Sequence, residues 1–308
     1  MILTVTPNPA LDRMYYVDRF DFQRGHRVDT FKVTAGGKGI NVTKVLDALK
    51  ADVLATGFLG GTTGKQIEKK LSQTNAKLRF ANIEDETRTT VSIADDTGQT
   101  FELVEQGPTI KQEELERFHR LFEGLISDAS VAVFSGSLLP SLPSGFYRTC
   151  IDLAKRAGVY TMLDTSGEAL KEGLKAGPDL IKPNRDELER LLGRRFETDD
   201  EIVSAARETL AMGAGAVAVS LGDEGMIYVD DDVAYRVKVP SVDIMSPVGS
   251  GDSVIAGFAF AYAQGYLMEE TLAFANACGV SNAKSEAIGS IDTQDVDNLR
   301  KRMTLTKL

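Results

Sequence analysis

Val131-Ala132-Val133-Phe134-Ser135-Gly136-Ser137 is a short apolar run that stops in a polar, glycine-bearing cluster, and the chain repeats the event three times downstream. Val159–Leu163 runs into Asp164-Thr165-Ser166, Leu180–Ile181 into Lys182-Pro183-Asn184, and the run that opens at Ala216 closes on Ser220-Leu221-Gly222-Asp223. The runs have strand length, and helical patterns fill 144–157, 185–193 and 198–212 between them. Strand and helix in alternation predict a parallel sheet covered by helices. Ligands of such sheets bind beyond the carboxyl ends of the strands, so the four clusters are candidate walls of one site. A polar turn is also the ordinary end of any strand, and a single cluster would carry little weight.

Working outward, residues 13–32 and 87–105 are rich in Tyr, Val, Thr and Phe with polar alternation and have no helix beside them. They predict a small antiparallel sheet standing off the main one as a lid. No repeat or linker divides the chain, which predicts one domain over 1–308. The most apolar stretch, Val254–Met268, is interrupted by Gly257, Gln264 and Gly265. It is short of the roughly 20 residues a membrane span needs and reads as a buried helix. Met1 leads directly into the strand-like Ile2-Leu3-Thr4-Val5-Thr6, without the basic region of a signal peptide. With 35 Lys+Arg against 45 Asp+Glu the net charge is −10, which disfavours nucleic acid as a partner. Cys150 and Cys278 fit neither a disulfide framework nor a thiolate metal site, so a cytosolic protein with reduced thiols is expected.

Gly57 to Gln66 invites a phosphate-loop reading that fails, because Leu59 stands where the first glycine belongs and Gln66 where Ser or Thr should follow Lys65. The dinucleotide fingerprint fails too, with Val42 and Val254 in place of its third glycine. Two other segments are more informative. Ala35-Gly36-Gly37-Lys38-Gly39-Ile40-Asn41 feeds helical periodicity from Ile40 onward, and such a glycine turn presents free N–H groups to a polar or anionic ligand. Ser246-Pro247-Val248-Gly249-Ser250-Gly251-Asp252 opens a second helix and adds a carboxylate. Gly249, Ser250 and Gly251 aim successive amides into one concavity, an anion nest with Asp252 just inside it. Asp252 as a simple helix cap would contribute about 1 kcal/mol and would need no flanking glycines. A general base beside anion stabilisers explains the glycines better. His26 and His119 lie in polar contexts far from these loops, His119 reads as a surface residue, and no spacing resembles a zinc site.

Together the two glycine-rich segments, about 210 residues apart, resemble the paired signatures of the ribokinase-like carbohydrate kinases, and the likeness extends over essentially the whole chain. The resemblance implies an α/β fold with a central, mostly parallel sheet flanked by helices and a small β-sheet lid. It implies ATP and Mg²⁺ as partners of the reaction, and a homodimer paired through the lid. The opening Thr4-Val5-Thr6-Pro7-Asn8-Pro9-Ala10-Leu11-Asp12 is similar to the sugar-phosphate branch of the family. That branch converts ketohexose monophosphates to 1,6-bisphosphates. The Pro247/Ser250 variant of the late motif looks closer to members acting on tagatose 6-phosphate than to those acting on fructose 1-phosphate, which stays the alternative. A free sugar as acceptor, and a non-catalytic sensor of nucleotide or sugar phosphate, also remain open.

By the same resemblance Asp252 is the base and the amides of Gly249, Ser250 and Gly251 form the anion hole. Asp12, Gly37, Lys38, Asn41 and Ser137 line the sugar site, and Arg88 grips the substrate's phosphate with help from Arg27. An arginine fork suits that task because it can hold two phosphate oxygens. Lys182 and Asn184 lie along the ATP phosphates, Glu187 helps place Mg²⁺ through water, Ser220, Gly222 and Gly225 flank the nucleotide, and Asn276 faces the adenine.

Overall fold

The computed structural model describes residues 1–308. In chain order it holds β1 (Ile2–Thr6), β2 (Ala10–Val17), β3 (Thr30–Gly36), α1 (Lys38–Ala48), β4 (Val53–Gly60), α2 (Gly61–Leu71), β5 (Lys77–Leu78), β6 (Ala81–Ile83), β7 (Thr89–Asp95) and β8 (Thr100–Val104). Then follow α3 (Gln112–Ile126), β9 (Val131–Ser135), α4 (Phe146–Arg156), β10 (Tyr160–Asp164), α5 (Gly167–Leu174), β11 (Leu180–Ile181), α6 (Arg185–Leu192), α7 (Asp199–Ala211) and β12 (Ala216–Ser220). A single 3₁₀ turn at Gly222–Glu224 leads to β13 (Met226–Asp230), β14 (Ala234–Lys238), α8 (Ser250–Gln264), α9 (Met268–Ala283), α10 (Thr293–Arg300) and β15 (Thr304–Lys307).

The large sheet runs β15-β14-β13-β12-β11-β10-β9-β1-β4-β5, with β6 also on β4. It is parallel from β12 to β5 and antiparallel through β13, β14 and β15. Helices cover both faces, and the central strands β1 and β9 are therefore wholly buried and mostly apolar, with Thr4, Thr6 and Ser135 the polar exceptions. Ile151, Leu170, Leu188 and Ile202, from α4 to α7, belong to the core on one face; Val45, Ile255 and Leu272, from α1, α8 and α9, belong to the core on the other. The stretch read as a buried helix is α8, and no helix is long and apolar enough to cross a membrane. Gly257 lets α8 and α9 pack backbone to backbone, since a Cβ there would stand 2.6 Å from Ala275 Cα.

The small sheet, β3-β2-β7-β8, contains both segments expected of it but is not antiparallel throughout. β2–β3 and β7–β8 are hairpins, whereas β2 and β7 pair in parallel, Leu11 opposite Thr89. The reason lies in the large sheet. β1, β4 and β6 are parallel, and the chain leaves β1 and β6 from the same edge, so the strands that follow set out in the same direction. Strand β2 also begins at Ala10 rather than 13, which puts Asp12 inside the sheet opposite Thr90.

Candidate active site

The order of the large sheet reverses at β1, with β9 on one side and β4 on the other, and a cavity of ≈ 350 Å³ opens beyond the carboxyl ends at that point. It is lined by Thr6 and Asn8 after β1, Gly136 and Ser137 after β9, Thr165 and Ser166 after β10, and by Lys38, Arg88, Val104 and Glu187. Two of the four strand-end clusters thus wall one pocket, and Lys182, from a third, reaches the same charges.

Helix α8 starts beside it. Gly249 caps the helix at φ 82°, in the left-handed region, and a Cβ there would meet Ile288 Cγ2 at 2.7 Å. The loop needs glycine on both counts. Asp252 lies in the first turn, 6% exposed, and its Oδ2 accepts a 2.8 Å hydrogen bond from Asn41 Nδ2 of α1. The early and late glycine motifs therefore meet through this one bond. Burial, with Asp164 adding negative charge nearby, pushes the Asp252 carboxyl up to about 6, against the opposing pull of Lys38, Asn41 and Lys182.

Asp164 is the residue that sequence reading left without a role. It is 1% exposed, and its Oδ1 lies 3.4 Å from Lys38 Nζ and 3.6 Å from Lys182 Nζ, while Oδ2 is buried with no partner. Asp164, with Glu187 Oε1 at 3.9 Å, holds Lys38 firmly protonated. Lys182 is itself 4% exposed, and a Cβ on Gly251 would stand 3.1 Å from its Nζ, so its ammonium sits over the N-terminus of α8. Lys38 and Lys182 thus bring two ammoniums to the free amides at that helix end, donors that suit a polyanion.

At the foot of the small sheet, Arg88 Nη1 donates to the Glu105 carbonyl and Nη2 to the Asn8 carbonyl, both at 3.2 Å, while Nε is buried without a partner. Burial depresses its pKa, and Asp12 and Glu105 oppose that. Asp12 packs against Gly36, where a Cβ would fall 1.7 Å from Oδ2, and burial raises its carboxyl. Gly37, at φ 104°, caps α1 and delivers Lys38 to the cavity. The rejected phosphate loop is explained as well: Glu86, not a ligand, accepts from Thr63 N–H at the start of α2.

Asn184 and Glu187 form a reciprocal cap on α6, Oδ1 accepting from Glu187 N at 2.8 Å and Oε2 from Asn184 N at 2.9 Å. Ser220 docks on Pro183 O through its N–H at 3.0 Å. Gly222 and Gly225 have positive φ, and a Cβ on Gly225 would strike Val237 O at 2.2 Å. Buried Arg236 braces this turn by donating to Glu224 O at 2.7 Å and to Asp199 Oδ2 at 2.9 Å.

Three residues lie away from the cavity. Asn276 is buried in α9, donating to Leu272 O at 2.8 Å and lying against Met226, and does not line the cavity. Arg27 is exposed in the connection between β2 and β3. His119 is half-buried rather than a surface residue, its ring stacked on Phe146 because α3 turns that face toward α4.

Asn282, also unread in the sequence, is a buried clamp. Its Nδ2 donates to Val248 O and its Oδ1 accepts from Gly289 N, at 2.8 and 2.9 Å. Asn282→Ala is expected to cost about 1–3 kcal/mol, read as a lower denaturant midpoint, because both backbone groups lose their partner.

The chain matches the pfkB family carbohydrate kinase description over residues 6–294. It is 39% identical to a tagatose-6-phosphate kinase of Staphylococcus epidermidis, covering 100% of both chains. Among solved structures it is similar to phosphofructokinase-2 of Escherichia coli in complex with fructose-6-phosphate, with TM-score 0.89, 28% identity and 98% of each chain covered. The same enzyme has been solved in a tetrameric inhibited form. Ribokinase of Arabidopsis thaliana shares the fold, at TM-score 0.79 and 22% identity over 97% of this chain and 98% of that one.

Proposed function

The chain belongs to the pfkB family of carbohydrate kinases, and from that premise we propose that it transfers the γ-phosphoryl group of ATP to tagatose 6-phosphate, giving the 1,6-bisphosphate. The observation that supports this most is the Asn41–Asp252 pair at the glycine-capped start of α8, beside a cavity that Arg88 also lines.

In this reading Asp252 accepts the proton of the C1 hydroxyl as its oxygen forms a bond to the γ-phosphorus. The β–γ bridging bond breaks and ADP leaves with the electron pair. Asn41 holds the carboxylate for that task, and the amides following Gly249 receive the charge that develops on the transferred group. Lys38 and Lys182 draw the phosphates toward the helix start, while Asp12 and Ser137 bind sugar hydroxyls. The turn at Gly222–Gly225 flanks the nucleotide. A hydrated Mg²⁺ needs only one or two carboxylates besides phosphate and water ligands, and Glu187, its side chain 10% exposed, offers one. That ion would neutralise phosphate charge.

The small sheet acts as a lid that excludes water as a competing acceptor. Its exposed Phe22, Phe31 and Leu103 form the face that pairs with a second copy in a homodimer. The free, buried Cys150 and Cys278 suit a reducing cytoplasm.

The test is ADP release with tagatose 6-phosphate, fructose 1-phosphate, fructose 6-phosphate, free fructose and ribose, compared by kcat/KM. Tagatose 6-phosphate is expected to rank first. Fructose 1-phosphate in front would change the substrate and keep the mechanism. Turnover of free sugars alone would remove the phosphate-gripping role of Arg88.

A further inference from the structure

Lys44 lies in α1 one turn beyond Asn41, in a partly buried position that neither sequence motif claims. Its Nζ is 3.4 Å from Asn41 Oδ1. Asp12 of β2 and Asp252 of α8 face it with negative charge, and Lys70 of α2 opposes them. A lysine that served only solubility would extend into water. This one is held against the site, where burial brings its ammonium down to about 8 despite the two carboxylates.

The placement matters because an asparagine amide has two unlike ends. Nδ2 donates and Oδ1 accepts, and a carboxylate tolerates only the donor. Asn41 turns Nδ2 toward Asp252 Oδ2 at 2.8 Å, leaving Oδ1 toward Lys44. An ammonium has donors and no acceptor, so it can face only Oδ1. A neutral amine carries a lone pair, accepts from Nδ2 as readily as it donates to Oδ1, and no longer selects between the two orientations.

We propose that Lys44 is a positioning residue of the phosphoryl transfer, its charged side chain locking the Asn41 amide in the orientation that donates to Asp252. The proposal rests on Asp252 being the base. Lys44 touches no reacting atom and acts through Asn41.

The experiment is the pH profile of kcat for wild type, Lys44→Met and Lys44→Arg with the acceptor the wild type uses best. Wild-type kcat should fall again above about pH 8 as the ammonium is lost. Lys44→Met should lower kcat roughly tenfold, the worth of a charge-assisted hydrogen bond, with KM for ATP unchanged. Its alkaline limb should vanish and its acid limb should move to higher pH, because Asp252 loses a donor. Lys44→Arg should restore most of the rate without the alkaline limb. Wild-type limbs in Lys44→Met overturn the proposal, as does a loss confined to KM for the sugar phosphate, which would make Lys44 a substrate contact.

A second measurement needs no turnover. The ¹⁵N resonance of the Lys44 ammonium, assigned by its absence from Lys44→Arg, should titrate near pH 8 in the intact protein and lower still in Asp252→Asn. A titration that Asp252→Asn leaves unmoved overturns the proposal, because Lys44 then does not sense the site. A wild type inactive on every acceptor would sink the kinase reading and leave this result standing apart from it.

Discussion

Asp252→Asn is expected to lower kcat by at least about 10²-fold while KM for both substrates stays within a few-fold. The asparagine is isosteric, and its Oδ1 can still accept from Asn41 Nδ2, so the start of α8 and its amides keep their geometry. What disappears is the group that takes the proton in the proposed mechanism. The pH profile gives an independent check. Burial holds the Asp252 carboxyl near 6, well above its value in an unfolded chain, and only the ionised form can accept a proton. Wild-type kcat should therefore rise with pH through about 6 and fall about tenfold per unit below it. In Asp252→Asn that limb should be absent. A near-normal rate in the variant would move the chemistry to another group. An unchanged acid limb would assign the titration to another carboxylate, with Asp164 the first to test.

The features legible in the sequence are those written in local patterns. The strand-end clusters read off Val131–Ser137 and its successors became the ends of β9, β10, β11 and β12; the first two wall the cavity, and Lys182 after the third reaches Asp164. The two glycine motifs are local as well, because a positive φ at Gly37 and Gly249 excludes other residues wherever the loops end up. Pairings between distant segments left no such mark. The parallel β2–β7 contact follows from the direction in which two strands leave the large sheet, which no stretch of β2 encodes. Asp164 looked like an ordinary strand end, and its importance comes from two lysines contributed by other elements. Asn282 and Lys44 lie in helices whose periodicity says only which face is inward. Val248 and Gly289, the partners of Asn282, are set by how α9 packs on the start of α8, and the Asn41 amide that Lys44 faces is turned by Asp252 of α8. Asn276 was placed by likeness alone, and its buried bond to Leu272 shows how much a helix's inner face can hide.

Arg88→Ala is expected to reduce kcat/KM for the phosphorylated acceptor by roughly 10²-fold, since two charge-assisted hydrogen bonds of the kind an arginine fork makes to phosphate are lost. The structure supplies a competing role that the experiment has to separate. Arg88 already ties the β1–β2 turn to the segment after β8, through the carbonyls of Asn8 and Glu105, and its own carbonyl accepts from Leu11 N–H. A guanidinium used only for that purpose would not be left with a buried, unpartnered Nε in a cavity wall. An arriving phosphate would satisfy it and would offset the desolvation that lowers its pKa. The two roles differ in what they predict for a free sugar. Loss of the phosphate grip leaves the slow turnover of an unphosphorylated ketohexose unchanged, whereas a loosened hinge lowers both rates alike. Arg88→Lys sharpens the contrast, because it keeps the charge and loses the planar fork. It should recover part of the rate with the phosphosugar and shift the defect from kcat to KM. Equal losses on phosphorylated and free sugars in both variants would return Arg88 to the hinge and leave the substrate's phosphate to another cation.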